Sequence, residues 1–140
     1  MSDPANLAVA EIVRVHKAIM DWITGRMPEA HFEDEIADHL DPAFRIVEPG
    51  GKIVARDAVL AGLRSFHGGN PDFRILIDEA EAFATSGRQV LVSYIERQTG
   101  AAKAARTNAR RSTALVDVGA KVRLLHLHET WIADDTAAAG

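Results

Sequence analysis

The chain has 140 residues and a mass of 15.2 kDa, a size that fits one compact domain. Hydrophobic residues make up 47 % and charged residues 26 %, which is enough to bury a core without disulfides or metals. The absence of cysteine excludes disulfide scaffolds, thiolate metal sites and cysteine nucleophiles. A formal net charge of -4 argues against nucleic acid as a partner.

No membrane partner is indicated by the sequence. Its longest apolar runs fall well short of the ~20 residues that a membrane-spanning helix needs. The first ten residues contain Asp3 and Pro4 and lack the basic-then-apolar order of a signal peptide. We therefore expect a cytoplasmic protein.

The first quarter of the chain predicts a long helix over residues 5–24. Its hydrophobic side chains recur at steps of three and four, which places them on one helical face. Asp3 is a suitable N-cap, and Gly25 follows the last periodic residue. The face consists of Val9, Ile12, Val13, His16, Ile19, Met20 and Ile23.

A second, shorter helix is predicted to begin near Pro28 and to end at Asp41-Pro42, because the residue before proline avoids helical geometry. Its apolar stripe consists of Phe32, Ile36 and Leu40. The period then changes to that of strands. Residues 44–48 and 52–55 are predicted to form a short hairpin around Pro49-Gly50-Gly51.

A third helix is predicted over residues 57–67, with Asp57 as its N-cap and Gly68-Gly69 as its stop. Turn-linked strands follow, a pattern typical of an antiparallel meander. They are predicted over residues 73–84, 88–99, 109–118 and 121–132. Helices segregated from strands indicate an α+β domain, in which three helices cover a strongly bent antiparallel sheet. Such a sheet encloses a cone, and a ligand would enter at the mouth of the cone.

We expect residues 1–133 to form this one domain. Residues 100–108 are predicted to form an Ala-rich, basic loop, which could act as a rim or lid at the mouth. Residues 134–140 are small and polar and are predicted to form a flexible tail.

This order of elements resembles the NTF2-like superfamily, whose fold is also called cystatin-like, and within it the SnoaL-like or DUF4440 group. The resemblance runs from about Glu11 to Ile132. Its motifs are Asp21-Trp22-Ile23-Thr24-Gly25-Arg26, then Pro49-Gly50-Gly51 leading through Arg56-Asp57-Ala58-Val59, and finally His126-Leu127-His128-Glu129-Thr130-Trp131. It implies an NTF2-like cone and a homodimer formed through the outer face of the sheet.

Two strand motifs are similar to those of the association domain of calcium/calmodulin-dependent protein kinase II. Ser93-Tyr94-Ile95-Glu96 looks like its "A-Y-I-R" motif, and His126-Leu127-His128-Glu129 looks like its "H-F-H-R" motif. The arginines of those motifs point into that domain's pocket. Glu96 and Glu129 stand at the matching positions here, and a third pocket arginine falls on Thr113. The resemblance therefore implies an acidic or mixed pocket, and it carries over neither ligand preference nor ring assembly.

Strand alternation independently places a carboxylate on an apolar face. Leu125, Leu127, Glu129 and Trp131 alternate along the last strand. A carboxylate in such a row needs a partner or a raised pKa. The same alternation on the neighbouring strands predicts that Tyr94, Glu96, Arg111 and Thr113 converge with Glu129 in the cone.

Three functions are compatible with this site. The first is a cofactor-independent acid/base enzyme of isomerase, cyclase, dehydratase or hydrolase type, with Glu129 or Glu96 as the acid or base and Arg111 stabilising negative charge. The second is non-catalytic binding of a small molecule, and the third is a dimerisation or association module. The predicted ligand-binding residues are Tyr94, Thr113, Trp22, His16, Leu127 and Trp131.

The spacing of His126 and His128 is also that of two metal ligands on one strand face. Zinc needs at least a third protein ligand, and the sequence places none nearby. We therefore expect surface or interface histidines, with no metal and no cofactor. His16 lies on the apolar stripe of the first helix and Trp22 lies at its edge, so core packing is the alternative to a place in the pocket for both.

Overall fold

Helix α1 spans Pro4–Ile23 in the computed structural model, which describes residues 3–100 and 108–133. Asp3 caps it as expected, since its Oδ1 accepts a hydrogen bond from the backbone nitrogen of Ala5 at 3.1 Å. The predicted tail over 134–140 and nearly all of the predicted loop over 100–108 lie outside the described residues. None of the helices within the described ranges is both long and apolar enough to cross a bilayer.

The predicted second helix is wrong in extent. Its only α-helical part is α2, Phe32–Glu35, between 3₁₀ turns at Glu29–His31 and Ala37–His39. Leu40 then begins the first strand instead of ending a helix. The Arg56 guanidinium donates to the carbonyl oxygens of Ala37 and Leu40, at 2.8 and 3.0 Å, so these carbonyls are satisfied outside any helix.

Helix α3 spans Arg56–Ser65 and follows the short strands directly. It begins one residue before the predicted start, so Asp57 lies in its first turn and Ala55 is the cap residue. A carboxylate in the first turn still favours the helix through the partial positive charge of the N-terminus.

Within the described residues the strands form one six-stranded sheet in the order β2-β1-β6-β5-β4-β3. Their bounds are β1 Leu40–Val47, β2 Ile53–Ala55, β3 Arg74–Ser86, β4 Gln89–Thr99, β5 Asn108–Val118 and β6 Val122–Trp131. The sheet is mixed and not wholly antiparallel as expected, because β1 pairs with β6 in parallel. These two strands are not joined by a hairpin, so nothing requires them to run in opposite directions.

Irregular pairing bends the sheet. The register of β3 against β4 shifts twice, between Asp78 and Glu81 and between Ala82 and Ala84, and Glu79 adopts a φ of 53°. Such bulges bend a strand and increase its twist. The concave face produced in this way packs against α1 and α3.

A further shift in the β5–β6 pairing changes which leucine faces the core. Val116 pairs with Leu124, whereas Leu115 pairs with His126, so Leu125 is the extra residue of a bulge. Leu124 is consequently 2 % exposed and belongs to the core, although strict alternation places it on the outer face. Other core members from α1 and the sheet are Ala8, Ile12, Val15, Val90, Val92, Ala114 and Val116.

Candidate functional site

A cavity of about 680 Å³ lies between the concave face of the sheet and helices α1 and α3. Most of its wall is aliphatic or aromatic, and this volume is that of a site for a small organic molecule. Six polar or charged side chains contribute to the wall. Asn70 follows α3, and the other five come from α1, β4, β5 and β6: His16, Glu96, Gln98, Arg110 and Glu129.

Sheet register brings the charged groups together. Glu96 of β4 pairs with Arg110 of β5, and Ser112, two residues further along β5, pairs with Glu129 of β6. Paired residues point to the same face of a sheet, so these side chains share the concave side. Arg110 Nη1 lies 3.4 Å from Glu129 Oε1, and its Nη2 donates to Asn108 Oδ1 at 2.8 Å.

His16 and Glu96 form a buried ion pair. His16 Nε2 lies 3.1 Å from Glu96 Oε1, and His16 Nδ1 lies 2.7 Å from the carbonyl oxygen of Ile12. A carbonyl and a carboxylate can only accept, so both ring nitrogens donate and the ring is an imidazolium. Although burial acts to lower the pKa of His16, the hydrogen bond and charge of Glu96 outweigh it and raise that pKa.

Glu96 is the partner that stays ionised at neutral pH. Burial alone would raise its pKa, but the hydrogen bond and charge of His16, together with a hydrogen bond of 2.5 Å from Gln98 Nε2, lower that pKa to about 2. Tyr94 lies behind this pair, with its Oη 3.4 Å from His16 Nε2. Burial and the nearby carboxylates raise the pKa of Tyr94 well above its usual range, so the phenol stays protonated.

Glu129 is the carboxylate that titrates near neutral pH. It is only 4 % exposed and stands on the largely apolar wall of the cavity. Burial, followed by the negative charge of Glu96, raises its pKa to about 7, against the opposing effects of Arg110 and His16. A carboxyl group tuned in this way can both donate and accept a proton at neutral pH.

Four of the predicted site residues line the cavity, namely His16, Glu96, Leu127 and Glu129, and Tyr94 is buried behind His16. Arg111 and Thr113 do not join them. Both line a pocket on the outer face of the sheet, together with His126 and His128. The expected convergence is therefore wrong for these two residues.

Arg110 lines the cavity, although the sequence analysis does not predict it there. Alternation along β5 gives two possible faces, and only the pairing with β4 decides which of them is concave. A signal was present, since one set contains Ser112, Ala114 and Val116, which are small or apolar. The residues that alternate with these include the charged Arg111 and Asp117, and charged side chains are typical of the solvent-facing side of a strand.

Neither tryptophan lines the cavity, although both were predicted to bind the ligand. Trp22 is 3 % exposed, and its ring packs on those of Phe32 and His67, with centroid distances of 4.6 and 4.0 Å. Its Nε1 donates to the Leu63 carbonyl oxygen at 2.6 Å, so it belongs to the core. Trp131 is 52 % exposed and borders the outer pocket, with the Arg110 guanidinium carbon 4.9 Å from its ring centroid.

His126 and His128 form a pair on the outer face, with ring centroids 6.1 Å apart. Within residues 3–100 and 108–133 there is no group of three or more His, Asp or Glu side chains arranged to hold a metal ion. Burial, Arg45 and His128 lower the pKa of His126.

Solved structures supply the comparison for this architecture. An NTF2-like protein of unknown function from Pseudomonas aeruginosa is 27 % identical with a TM-score of 0.80, over 89 % of this chain and 97 % of that one. The chain has the NTF2-like, or cystatin-like, fold. An NTF2-like protein from Cytophaga hutchinsonii matches 94 % of this chain and 100 % of its own, with 12 % identity and a TM-score of 0.71.

The association domain of calcium/calmodulin-dependent protein kinase II from C. elegans shares the same NTF2-like fold. It covers 92 % of this chain and 99 % of its own length, with 14 % identity and a TM-score of 0.64. The expected superfamily likeness is thereby confirmed at the level of fold, while the SnoaL-like or DUF4440 assignment stays a prediction. No protein-family model and no curated protein matches the sequence.

Proposed function

We propose that the cavity binds a small, mainly apolar organic molecule and that Glu129 exchanges a proton with it, which makes the protein a cofactor-independent acid/base enzyme. The observation that carries the proposal is the position of Glu129, 4 % exposed on an apolar wall, with a pKa raised to about 7. A general acid or base works best when its pKa lies near the working pH.

The neighbouring groups take distinct roles in this proposal. Glu96 is a fixed anion and not a second proton carrier, because His16 and Gln98 hold it ionised. Arg110 replaces Arg111 as the cation that stabilises negative charge on the substrate, since it lies on the cavity wall beside Glu129. A single proton carrier with one adjacent cation serves isomerase, cyclase, dehydratase and hydrolase reactions alike.

Deuterium exchange tests the proposal even though the substrate is unidentified. The protein is incubated in D₂O near pD 7 with acetophenone, 2-heptanone and 6-oxoheptanoate, and deuterium beside each carbonyl is followed by NMR. We expect exchange with at least one compound, and Glu129→Gln to slow it by about 100-fold or more. Glu81→Gln is the matched control, because Glu81 is exposed and pairs with Ser93 on the outer face.

Equal exchange by Glu129→Gln and the unmodified protein would contradict the assignment of the proton carrier. A compound that raises the melting temperature without exchanging would instead support the rival function, non-catalytic binding. In such a binder the same cavity residues would orient the ligand, and Glu96 would again be a fixed anion, because it does not titrate near neutral pH.

We also propose that two copies associate through the outer face of the sheet. The pocket on that face is bordered by Leu91, Leu115 and Ile132 and by the half-exposed Trp131. The C. elegans neighbour is named an association domain, which is a statement about that protein. Light scattering is expected to give twice the chain mass of 15.2 kDa, and a mass of one chain would contradict the dimer.

A further inference from the structure

We propose that the polar end of the cavity is built for a weak organic acid, an apolar molecule ending in a carboxylate that binds together with one proton on Glu129. This inference rests on the proposed function only in that the cavity is a binding site. It names the class of molecule that the site takes.

The first observation is an unused donor. Arg110 Nε is buried and has no hydrogen-bond partner among the described residues, whereas Nη1 reaches Glu129 and Nη2 reaches Asn108. Leaving a buried N–H of a charged group unpaired is costly. Nε itself has no surface open to a ligand, but Arg110 lines the cavity with a side chain that is 13 % exposed, and each of its Nη nitrogens carries a second N–H. The guanidinium therefore favours a ligand that ends in a hydrogen-bond acceptor.

The second observation is the balance of charge. His16 and Glu96 cancel each other, and both oxygens of Glu96 are occupied, by His16 and by Gln98. The buried Tyr94 is a neutral phenol, and α3 adds only apolar side chains such as Val59 and Leu63 to the wall.

Arg110 and Glu129 are then the groups that decide the ligand's charge. With Glu129 protonated, Arg110 keeps no ion pair of its own among residues 3–100 and 108–133, because the nearby Glu96 is already paired with His16. A ligand carboxylate supplies a counter-ion, whereas an ammonium group would be repelled by Arg110.

The geometry also offers the carboxylate a second bond. One ligand oxygen can accept from a remaining Nη N–H of Arg110, and the other can accept from the protonated carboxyl of Glu129, because two neighbouring carboxylates share one proton readily. The apolar part of the ligand would lie along Ile19, Leu63 and Leu127 towards Phe66, which is 60 % exposed at the open end of the cavity. Arg110 is not one of the positions matched by the kinase motifs, so the inference does not depend on that resemblance.

Calorimetry with hexanoate, 1-hexanol and hexylamine tests the charge class, since these probes share one alkyl chain. At pH 6 we expect hexanoate to bind at least about tenfold more tightly than hexanol, and hexylamine to bind most weakly. Above pH 7 the affinity for hexanoate should fall by about tenfold per pH unit, because one proton must be taken up for each molecule bound.

Variants separate the contributions. Glu129→Gln should keep hexanoate binding and lose its pH dependence, because the amide donates a hydrogen bond at every pH. Arg110→Gln should weaken hexanoate binding by about tenfold or more. Arg110→Lys keeps the charge but lacks the planar fork of N–H donors, and is expected to fall in between. The control is Arg97→Gln, since Arg97 lies on the outer face beside Asp78.

Failure of hexanoate to bind overturns the inference, as does binding of hexanol or hexylamine that is as tight as that of hexanoate. An affinity for hexanoate that is constant from pH 6 to pH 9 overturns it as well. The proposed function fails separately. Proton-linked hexanoate binding without any deuterium exchange removes only the catalytic claim, and exchange of neutral ketones without carboxylate preference removes only this inference.

Discussion

His16 Nε2 and Glu96 Oε1 lie 3.1 Å apart at the polar end of the cavity, with both side chains almost completely buried. The contact fixes the protonation of both groups, because the other nitrogen of His16 is engaged by the Ile12 carbonyl. Glu96 therefore carries its negative charge near Glu129 at neutral pH, and the positive charge of His16 offsets that effect only in part. One carboxylate is kept ionised so that the other holds its proton at neutral pH.

Replacing Glu96 with glutamine should lower the pKa of Glu129 from about 7 towards its ordinary value of 4.5. The change removes the negative charge that is second only to burial in raising this pKa. Loss of charge on His16 acts in the opposite direction, but its effect is smaller. The measurement is a carboxyl ¹³C NMR titration with labelled glutamate, in which an unchanged pKa of Glu129 would refute the coupling.

Glu129 should make the protein less stable as the pH rises. Its pKa is higher in the folded chain than the ordinary 4.5, so between about pH 4.5 and pH 7 the folded state holds more protons than the unfolded state. The stability gained from its burial as a neutral acid is complete below that window and declines through it. The total is up to about 3 kcal/mol for a pKa shift of this size.

Urea unfolding of Glu129→Gln at pH 5 and pH 8 checks this. The decline should be smaller in the variant than in the unmodified protein, because its amide does not ionise. The contribution of His16, whose pKa is also raised, is lost with rising pH in both proteins. A decline of the same size in both proteins would mean that other groups cause it. Glu96 has the opposite sign: its pKa is lowered to about 2, so its contribution is present above about pH 4.5 and is lost as the pH falls towards 2.

Hydrophobic periodicity and turn residues were sufficient to predict most helices and strands. They did not predict how the strands pair with one another. Helix α1, its cap at Asp3 and the long strands follow from periodicity and turn residues, which act over a few positions. The parallel pairing of β1 with β6 and the strand start at Leu40 depend on contacts between distant segments. Pro42 lies in the gap of that ladder between Leu40 and Arg45, so it interrupts pairing without ending the strand.

The same limit applies to the candidate site, since positions within one strand could be predicted but the pairing between strands could not. The sequence places Glu96 and Glu129 on the concave face, where they line the cavity, because a carboxylate in an apolar row is conspicuous on one strand. Arg110 was missed because the register between two strands decides the face, and a slip of one residue exchanges the two faces completely. The ion pair of His16 also depends on how α1 packs on the sheet, which no local pattern encodes.

The assignment of Arg110, and not Arg111, to the cavity wall can be tested directly. Arg110→Gln should raise the pKa of Glu129 above 7, because Arg110 Nη1 lies 3.4 Å from that carboxylate and acts to lower its pKa. Arg111→Gln should leave this pKa unchanged, since Arg111 lies on the outer face, paired with Ile95 and Thr130. Carboxyl NMR titrations of the two variants give the answer. A larger effect from Arg111→Gln would show that the strand is turned the other way.

Trp22→Phe should destabilise the fold without weakening ligand binding. The change keeps an aromatic ring between Phe32 and His67 but removes the donor to the Leu63 carbonyl, a loss of about 1–2 kcal/mol in the free energy of unfolding. Trp131→Phe is the matched control, with an effect within about 0.5 kcal/mol, because that side chain is half exposed. Urea unfolding measures the stabilities, and hexanoate calorimetry measures the binding. A tenfold loss of affinity in Trp22→Phe, at unchanged stability, would return Trp22 to the cavity wall.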